Sequence, residues 1–495
     1  MRVTDVTISG MPRRDAPRCR PLAVAPVFSP RRAAGAAVWG VSVGGWLVGL
    51  WGGLLAPPLA RAQGTRGTQG APTVPPPGRA SGTALGAMAV GVATHVAPAL
   101  LGRAATEGYL TQPAVQGEAW RGPWRALVTV NLEGLTLARG ELTPGSYGEG
   151  FVDRRHPHTL VHEAMGALVT APGRAWQASL AAGKGFVPFG TDDPMMRPFV
   201  KFPVNHHHAQ LPERVQGVAA VRLARGAHAL VAEQGWFNGD EPTGPWAAPQ
   251  WRRLGDSRAT RLTAQRRTPQ GSWELQGSRA VVRSPGIIQG GAFDHHQHSV
   301  SLRFAREEEG PAAHGAHAMA PGAAHAPHGP TGDGLRYLLV EGARTDEGAG
   351  GVRAFRYESL LLEGAWARRG WQLAVRAERT DRPEPERLLN LYRTPAGHID
   401  FQVVGITRFA VLTTLLAAPA WRLGRGGAVL PFVEVAAARP EARRRPAVFD
   451  PPAFYGARTP WTLSVGVRWH AGAMRARMGR YGVLAPLPPS RPRLP

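Results

Sequence analysis

Residues 154–166 read RRHPHTLVHEAMG and place His156, His158, His162 and Glu163 within eight positions. Imidazoles and a carboxylate at such spacing are donors for zinc, nickel or copper when one face of the backbone presents them together. On a helix, the metalloprotease arrangement H-E-x-x-H would set two imidazoles one turn apart with the glutamate as general base. That pattern fails, because Gly166 stands where the second histidine belongs, and the inverted H-x-x-E-H fails because Ala164 follows Glu163. The segment runs on through GALVTAPGRAWQASLAAGKGF, two strand-like runs around a Pro-Gly turn, so it reads as a strand entering from a loop. On a strand His156, His158 and His162 share one parity and can line one face, although histidines scattered at a wet interface account for the spacing better than a site does.

Three more histidine groups carry the same chemistry. They are NHHHAQ (His206, His207, His208), FDHHQH (Asp294, His295, His296, His298) and HGAHAMAPGAAHAPHG (His314, His317, His325, His328). A His-rich tract binds metal without needing a fold. Only Asp294 adds a nearby carboxylate, and the single cysteine, Cys19, lies ahead of the first hydrophobic run. A divalent transition metal is therefore the one candidate ligand and no other cofactor is expected; compositional drift explains the Ala/His/Pro/Gly tract at least as well.

The elements that must position these residues are set by the rest of the chain. Arginines precede the apolar stretch AAGAAVWGVSVGGWLVGLWGGLLAPPLA, which exits through Ala60-Arg61-Ala62. A basic stretch, an apolar run and a small-x-small exit make residues 1–62 an export signal, with an uncleaved anchor as the alternative. Residues 63–85 read as a flexible linker. The formal charge is +23 and the only lysines are Lys184 and Lys201, so the excess is arginine. No nucleic-acid motif accompanies it, which argues against a nucleic-acid partner.

Beyond residue 62 no apolar run approaches the roughly 20 residues of a spanning helix. What recurs is period-two alternation. In WTLSVGVRW, Trp461, Leu463, Val465, Val467 and Trp469 oppose Thr462, Ser464, Gly466 and Arg468; Trp371, Leu373, Val375 and Ala377 oppose Gln372, Arg376 and Glu378; and Val300, Leu302 and Phe304 oppose Ser299, Ser301 and Arg303. Pro/Gly turns at 171–174, 224–227, 268–271 and 367–370 alternate with long polar loops at about 187–212, 238–256, 283–293, 381–400 and 439–459. Short turns at one end and long loops at the other predict an all-β fold, a transmembrane antiparallel up-and-down barrel of about 14–16 strands over residues 86–482. A periplasmic sandwich or β-helix is the soluble alternative. Counting hairpins places the 307–333 insertion at the short-turn end, and residues 483–495 form a Pro-rich tail.

If the apolar faces meet lipid, Arg303, Arg376, Arg408 and Arg468 face the lumen, where unpaired arginine favours anions. Cross-strand pairing with Glu274, Glu358, Glu363 and Glu378 would instead leave a neutral ladder or a closed lumen.

The pieces VDRRHPHTLVHEAMG, GKGFVPFGTDDPMMRPF, NHHHAQLPERVQG, WFNGDEP and RMGRYG resemble an uncharacterised family of bacterial porin-like outer-membrane β-barrels, and FVPFG resembles phosphate-selective porins. The resemblance implies an outer-membrane barrel in contact with lipids, small polar solutes and the barrel-insertion machinery. It implies no catalytic residues and leaves the oligomeric state open. The chain departs from the usual aromatic barrel end, since AGAMRARMGRYGVLAPLPPSRPRLP follows Trp469. Either a further strand uses Arg475 to Tyr481 or the insertion signal is internal. Three functions follow: a passive channel for small polar or anionic solutes; a metal-binding surface protein; or a barrel enzyme, for which no G-x-S-x-G sequence is present.

Overall fold

The computed structural model describes residues 81–97, 104–136, 159–170, 175–191, 193–204, 209–239, 242, 245–283, 294–306, 333–385, 403–424, 427–442, 459–472, 474–475 and 477–484. The export signal, His156, His158, His206, His207, His208, His314, His317, His325, His328 and the tail beyond Leu484 lie outside the described residues.

Among the described residues the chain forms seventeen strands: β1 (Ser81–Ala97), β2 (Ala105–Arg121), β3 (Trp124–Asn131), β4 (Val161–Val169), β5 (Trp176–Gly185), β6 (Arg214–Arg225), β7 (His228–Phe237), β8 (Ser257–Thr268), β9 (Gly271–Arg283), β10 (Asp294–Ala305), β11 (Gly334–Ala349), β12 (Val352–Arg368), β13 (Trp371–Pro385), β14 (Val403–Ala417), β15 (Trp421–Arg422), β16 (Ala428–Ala442) and β17 (Trp461–Gly472). Each pairs antiparallel with its neighbours, and β1 pairs with both β2 and β17, so the sheet closes. The two-residue β15 only decorates β16, while β14 pairs directly with β16, leaving a 16-strand up-and-down barrel. Closure removes the exposed sheet edges that a bilayer could not satisfy.

The alternation in the sequence becomes an inside and an outside. On β17, Thr462 and Ser464 are buried while Leu463, Val465 and Val467 are exposed. On β10, Ser299 and Ser301 are buried against exposed Val300 and Leu302. The exposed apolar belt is flanked by tryptophans near strand ends, Trp124, Trp176, Trp366 and Trp371 at one end and Trp236 and Trp461 at the other, the girdles of a membrane barrel. No helix among the described residues is long and apolar enough to cross a membrane.

Tight turns gather at one end. At Arg369-Gly370 both residues take positive φ (50° and 83°), the twist that suits a two-residue hairpin. Two connections exchange lengths: residues 350–351 make a two-residue turn at the long-loop end, and residues 306–333 join β10 to β11 at the short-turn end.

Three features depart from the sequence reading. β1 begins at Ser81, inside the stretch read as linker, because SGTAL pairs with Gly117–Arg121 despite its small side chains. The described residues between 475 and 481 form no strand. Arg408 lies on the face of β14 that carries exposed Leu412 and Leu416, so it points outward rather than to the lumen. The inner face of β14 carries buried Phe409, Val411 and Leu415 beside buried Thr407 and Thr413, because it packs on chain folded inside the barrel. Apolar residues therefore stand on both faces of this strand, and alternation alone could not orient it.

Candidate functional site

Two segments fold into the lumen. The connection between β5 and β6, residues 186–213, enters from the long-loop end, and residues 474–484 turn back inside after β17. The sequence explains the first. Phe186, Val187, Phe189, Met195, Phe199, Val200, Phe202 and Val204 are too apolar for a loop in water, and all are buried.

The wall holds the extended stretch 197–204 through its backbone. Glu434 accepts the amides of Val200 (2.8 Å) and Lys201 (3.0 Å), and Glu378 accepts that of Val204 (3.0 Å). Arg376 donates to the carbonyl of Lys201 (2.7 Å), and Arg468 donates to those of Arg197 and Phe199 (3.2 Å each). Carboxylates thus meet N–H groups and guanidiniums meet carbonyls, as a neighbouring strand would, which satisfies a backbone removed from water. Arg376 also bonds Glu363 (2.6 Å) and stacks over Phe199 at 4.2 Å; Glu363 further accepts from Tyr337 (2.9 Å) and Arg197 (3.3 Å).

Both ends of the loop meet at His162. Its Nδ1 lies 2.7 Å from Glu213 and its Nε2 3.4 Å from Asp193, which in turn caps the amide of Met195 (2.7 Å). Glu213 has a left-handed backbone (φ 58°), which is costly for a residue with a Cβ. Its carboxylate compensates by accepting the amide of Thr159 (3.0 Å) and standing 3.8 Å from Lys184. Lys184 also donates to Thr159 and, at 2.5 Å, to the carbonyl of Val161.

The C-terminal segment is locked by arginines. Arg475 grips Glu118 (2.5 and 3.0 Å), Arg477 bonds Glu274 (2.5 Å) and Arg480 bonds Gln276 (2.9 Å). Arg261, paired with Glu233, donates to the carbonyls of Gly479 (3.2 Å) and Gly190 (3.4 Å), touching both lumen segments. Gly479 sits so close to Phe186 that an added Cβ would lie 2.7 Å from its side chain. Met474 and Met478 pack with Phe186, Met195 and Phe202, which closes the contact between tail and loop.

Burial sets the charge state of the loop. Lys201 is pushed down from 10.5 to about 8, first by desolvation; Glu378 and Glu434 oppose that shift and Arg376 adds to it. The Tyr481 hydroxyl is pushed well above its ordinary value by burial and by the neighbouring Glu163.

Among the arginines expected to line the lumen, Arg376 and Arg468 are on the inner face and engaged with the infolded loop, as described above. Arg303 shares the inner face of β10 and lies 5.4 Å over Tyr337. Arg408 bonds Asp381 (2.7 Å) on the outer face. Strand alternation splits the β10 group: His295 faces inward, 3.7 Å from Glu347, while Asp294, His296 and His298 share the outward parity, with Asp294 3.5 Å from Arg283. Among the described residues no three His, Cys, Asp or Glu side chains converge as a metal site. The sequence reading did not single out Asp193, Glu213, Tyr481 or the loop-binding role of Glu363, Glu378 and Glu434; the signal available for them was the apolar character of 186–204.

No protein-family model matches the chain, and no curated protein matches it. Among solved structures it is similar to a loop-deletion mutant of OmpT, an outer membrane protein of Vibrio cholerae (TM-score 0.42, 6 % identity, covering 79 % of this chain and 99 % of that one). It is also similar to an anion-selective porin from Comamonas acidovorans (0.41, 10 %, 79 % and 100 %) and to OprB of Pseudomonas putida (0.40, 11 %, 79 % and 94 %).

Proposed function

We propose that this chain is an outer-membrane channel for passive diffusion of small polar solutes, with a preference for anions. The observation that carries the reading is the inversion of polarity across a closed sheet: an apolar outer belt around an interior lined by Ser, Thr, Gln, Glu and Arg. Such a barrel supplies a hydrated path through a bilayer and leaves the driving force to the solute gradient.

The infolded loop and tail constrict that path at Phe186, Gly479 and Tyr481. The anion preference rests on the loop and its support. Arg468 bonds carbonyl oxygens, so its charge is not spent in a close ion pair there, and Lys201 adds an ammonium below about pH 8. Arg376 and Arg197 share Glu363 and contribute less field. Reversal potentials across a planar bilayer in a salt gradient test the preference: anion-directed potentials support it, and cation-directed potentials contradict it.

A further inference from the structure

Outside the lumen, the barrel surface carries charge unevenly. Cross-strand register places Thr260, Arg279, His298, Arg344 and Glu358 in one row over β8 to β12, on the parity that faces outward. One step toward the long loops, Arg258 and Arg356 lie in the next outward row with Asp346 between them, and Arg353 stands beyond. One step the other way, Leu262, Val300 and Leu360 are exposed members of the apolar belt. The cationic rows therefore sit at the rim of the belt, at headgroup height.

Acidic neighbours do not balance them. Asp346 serves Arg344 (2.6 Å), Arg356 (2.7 Å) and Arg353 (3.8 Å). Glu358, at the end of the row beside Arg344, lies 3.9 Å from Arg408 on the next strands. Arg258 and Arg279 make no ion pair among the described residues, and both are exposed. Arg283 has Asp294 at 3.5 Å. On β13 to β16 the continuation of the row holds Asp381, Arg408 and Glu441, with Arg408 on Asp381 (2.7 Å); one step toward the belt Arg439 lies on Glu441 (2.9 Å) and Arg379 is exposed.

We propose that this outward patch on β8–β12 seats the phosphorylated headgroup of a lipid in the leaflet at the long-loop end. The proposal rests on the reading of the chain as a membrane barrel. Guanidiniums bind phosphate oxygens bidentately, and their attraction is stronger at an interface than in bulk water. The row from Thr260 to Arg344 crosses three strand spacings, about 15 Å, wide enough for a headgroup bearing two phosphates. The lipid's acyl chains would lie along Leu262, Val300 and Leu360 below.

Native mass spectrometry of the full chain in neutral detergent tests this, with diphosphorylated lipid A and its fully dephosphorylated counterpart as probes. Wild type is expected to retain the diphosphorylated lipid. Replacing Arg258, Arg279 and Arg344 together with Gln should weaken retention on the order of a hundredfold, and replacing them with Lys should restore most of it. The control pair Arg225→Gln and Arg266→Gln, outward at the short-turn end, should change nothing. Heat-modifiable gel mobility reports that each barrel is folded, and each single Gln variant is carried in case the triple is not. Equal retention of the dephosphorylated lipid, an unaffected Gln triple, or an equal loss in the control pair overturns the proposal, as does displacement of the lipid by inorganic phosphate alone. Unchanged bilayer conductance in the Gln triple separates this result from the channel reading.

Discussion

Tyr481 donates its hydroxyl to Glu163 at 2.6 Å across 318 positions of sequence, and the same oxygen accepts the amide of Phe186 at 2.9 Å. One phenol thus joins the returning C-terminal segment, the β4 wall and the start of the infolded loop. All three partners are buried; the Glu163 carboxylate also accepts the amide of Gly479 (3.2 Å) and the hydroxyl of Thr129 (2.9 Å), whereas the amide of Phe186 depends on the phenol.

Removing that hydroxyl is the first prediction. Tyr481→Phe keeps the ring but removes one donor to the buried Glu163 carboxylate and strands the buried amide of Phe186, which costs roughly 1–3 kcal/mol. The loss falls on docking of the tail rather than on the barrel. Limited proteolysis should therefore cut residues 474–484 faster while heat-modifiable mobility stays as in wild type; unchanged cleavage would show that the bond does not hold the tail.

His162 gives the second prediction. Because it contacts both Asp193 and Glu213, His162→Ala leaves two buried carboxylates without their shared partner, a change worth roughly 3–5 kcal/mol in comparable buried pairs. The loop should loosen at both ends. Protease sensitivity within 186–213 and open-channel current noise should both rise, and a quiet, protected loop in the variant contradicts the latch.

Third, inside and outside on β17 have opposite sensitivities. Val465 is 52 % exposed on the lipid-facing side, so Val465→Arg should cost roughly 2–4 kcal/mol near the bilayer midplane and impair insertion. Arg468→Gln should insert normally and shift ion preference toward cations. Normal insertion of Val465→Arg together with failure of Arg468→Gln would exchange the two faces.

The alternation on β10, β13 and β17 carried the barrel and the direction of Arg303, Arg376 and Arg468, because in those strands one face is polar. β14 was not legible in the same way, since Phe409, Val411 and Leu415 are apolar and yet face inward, onto Val204 and the Phe199–Val200 stretch. A face buried against protein and a face buried against lipid look alike in a single sequence. The tail was illegible for a related reason: the sequence leaves a further strand over Arg475 to Tyr481 as one alternative, and only the fold brings Glu118, Glu274 and Gln276 to meet Arg475, Arg477 and Arg480. The connection at about 187–212 reads as a long polar loop; its phenylalanines are the signal that it folds inward, and its anchors come from strands as distant in sequence as β12, β13 and β16.

Lys201 supplies a pH dependence. Its folded value, about 8, lies below the ordinary 10.5, because burial disfavours the ammonium. Below about 8 both folded and unfolded chains hold the proton and the burial penalty is fully present. Between about 8 and 10.5 only the unfolded chain keeps it, so stability should rise with pH across that window. Lys201→Met should abolish the rise and be the more stable protein near neutral pH, as read from urea midpoints in detergent; an identical slope in the variant would remove Lys201 as the cause.

The channel itself is tested most directly by single-channel recording of the full chain beside a chain ending at Gly472, which lacks the lumen-filling tail. Stepwise ohmic conductance is predicted for both, larger in the shortened chain because Met474, Met478 and Tyr481 no longer occupy the lumen. Two correctly folded barrels that conduct nothing, with or without the tail, would contradict the account.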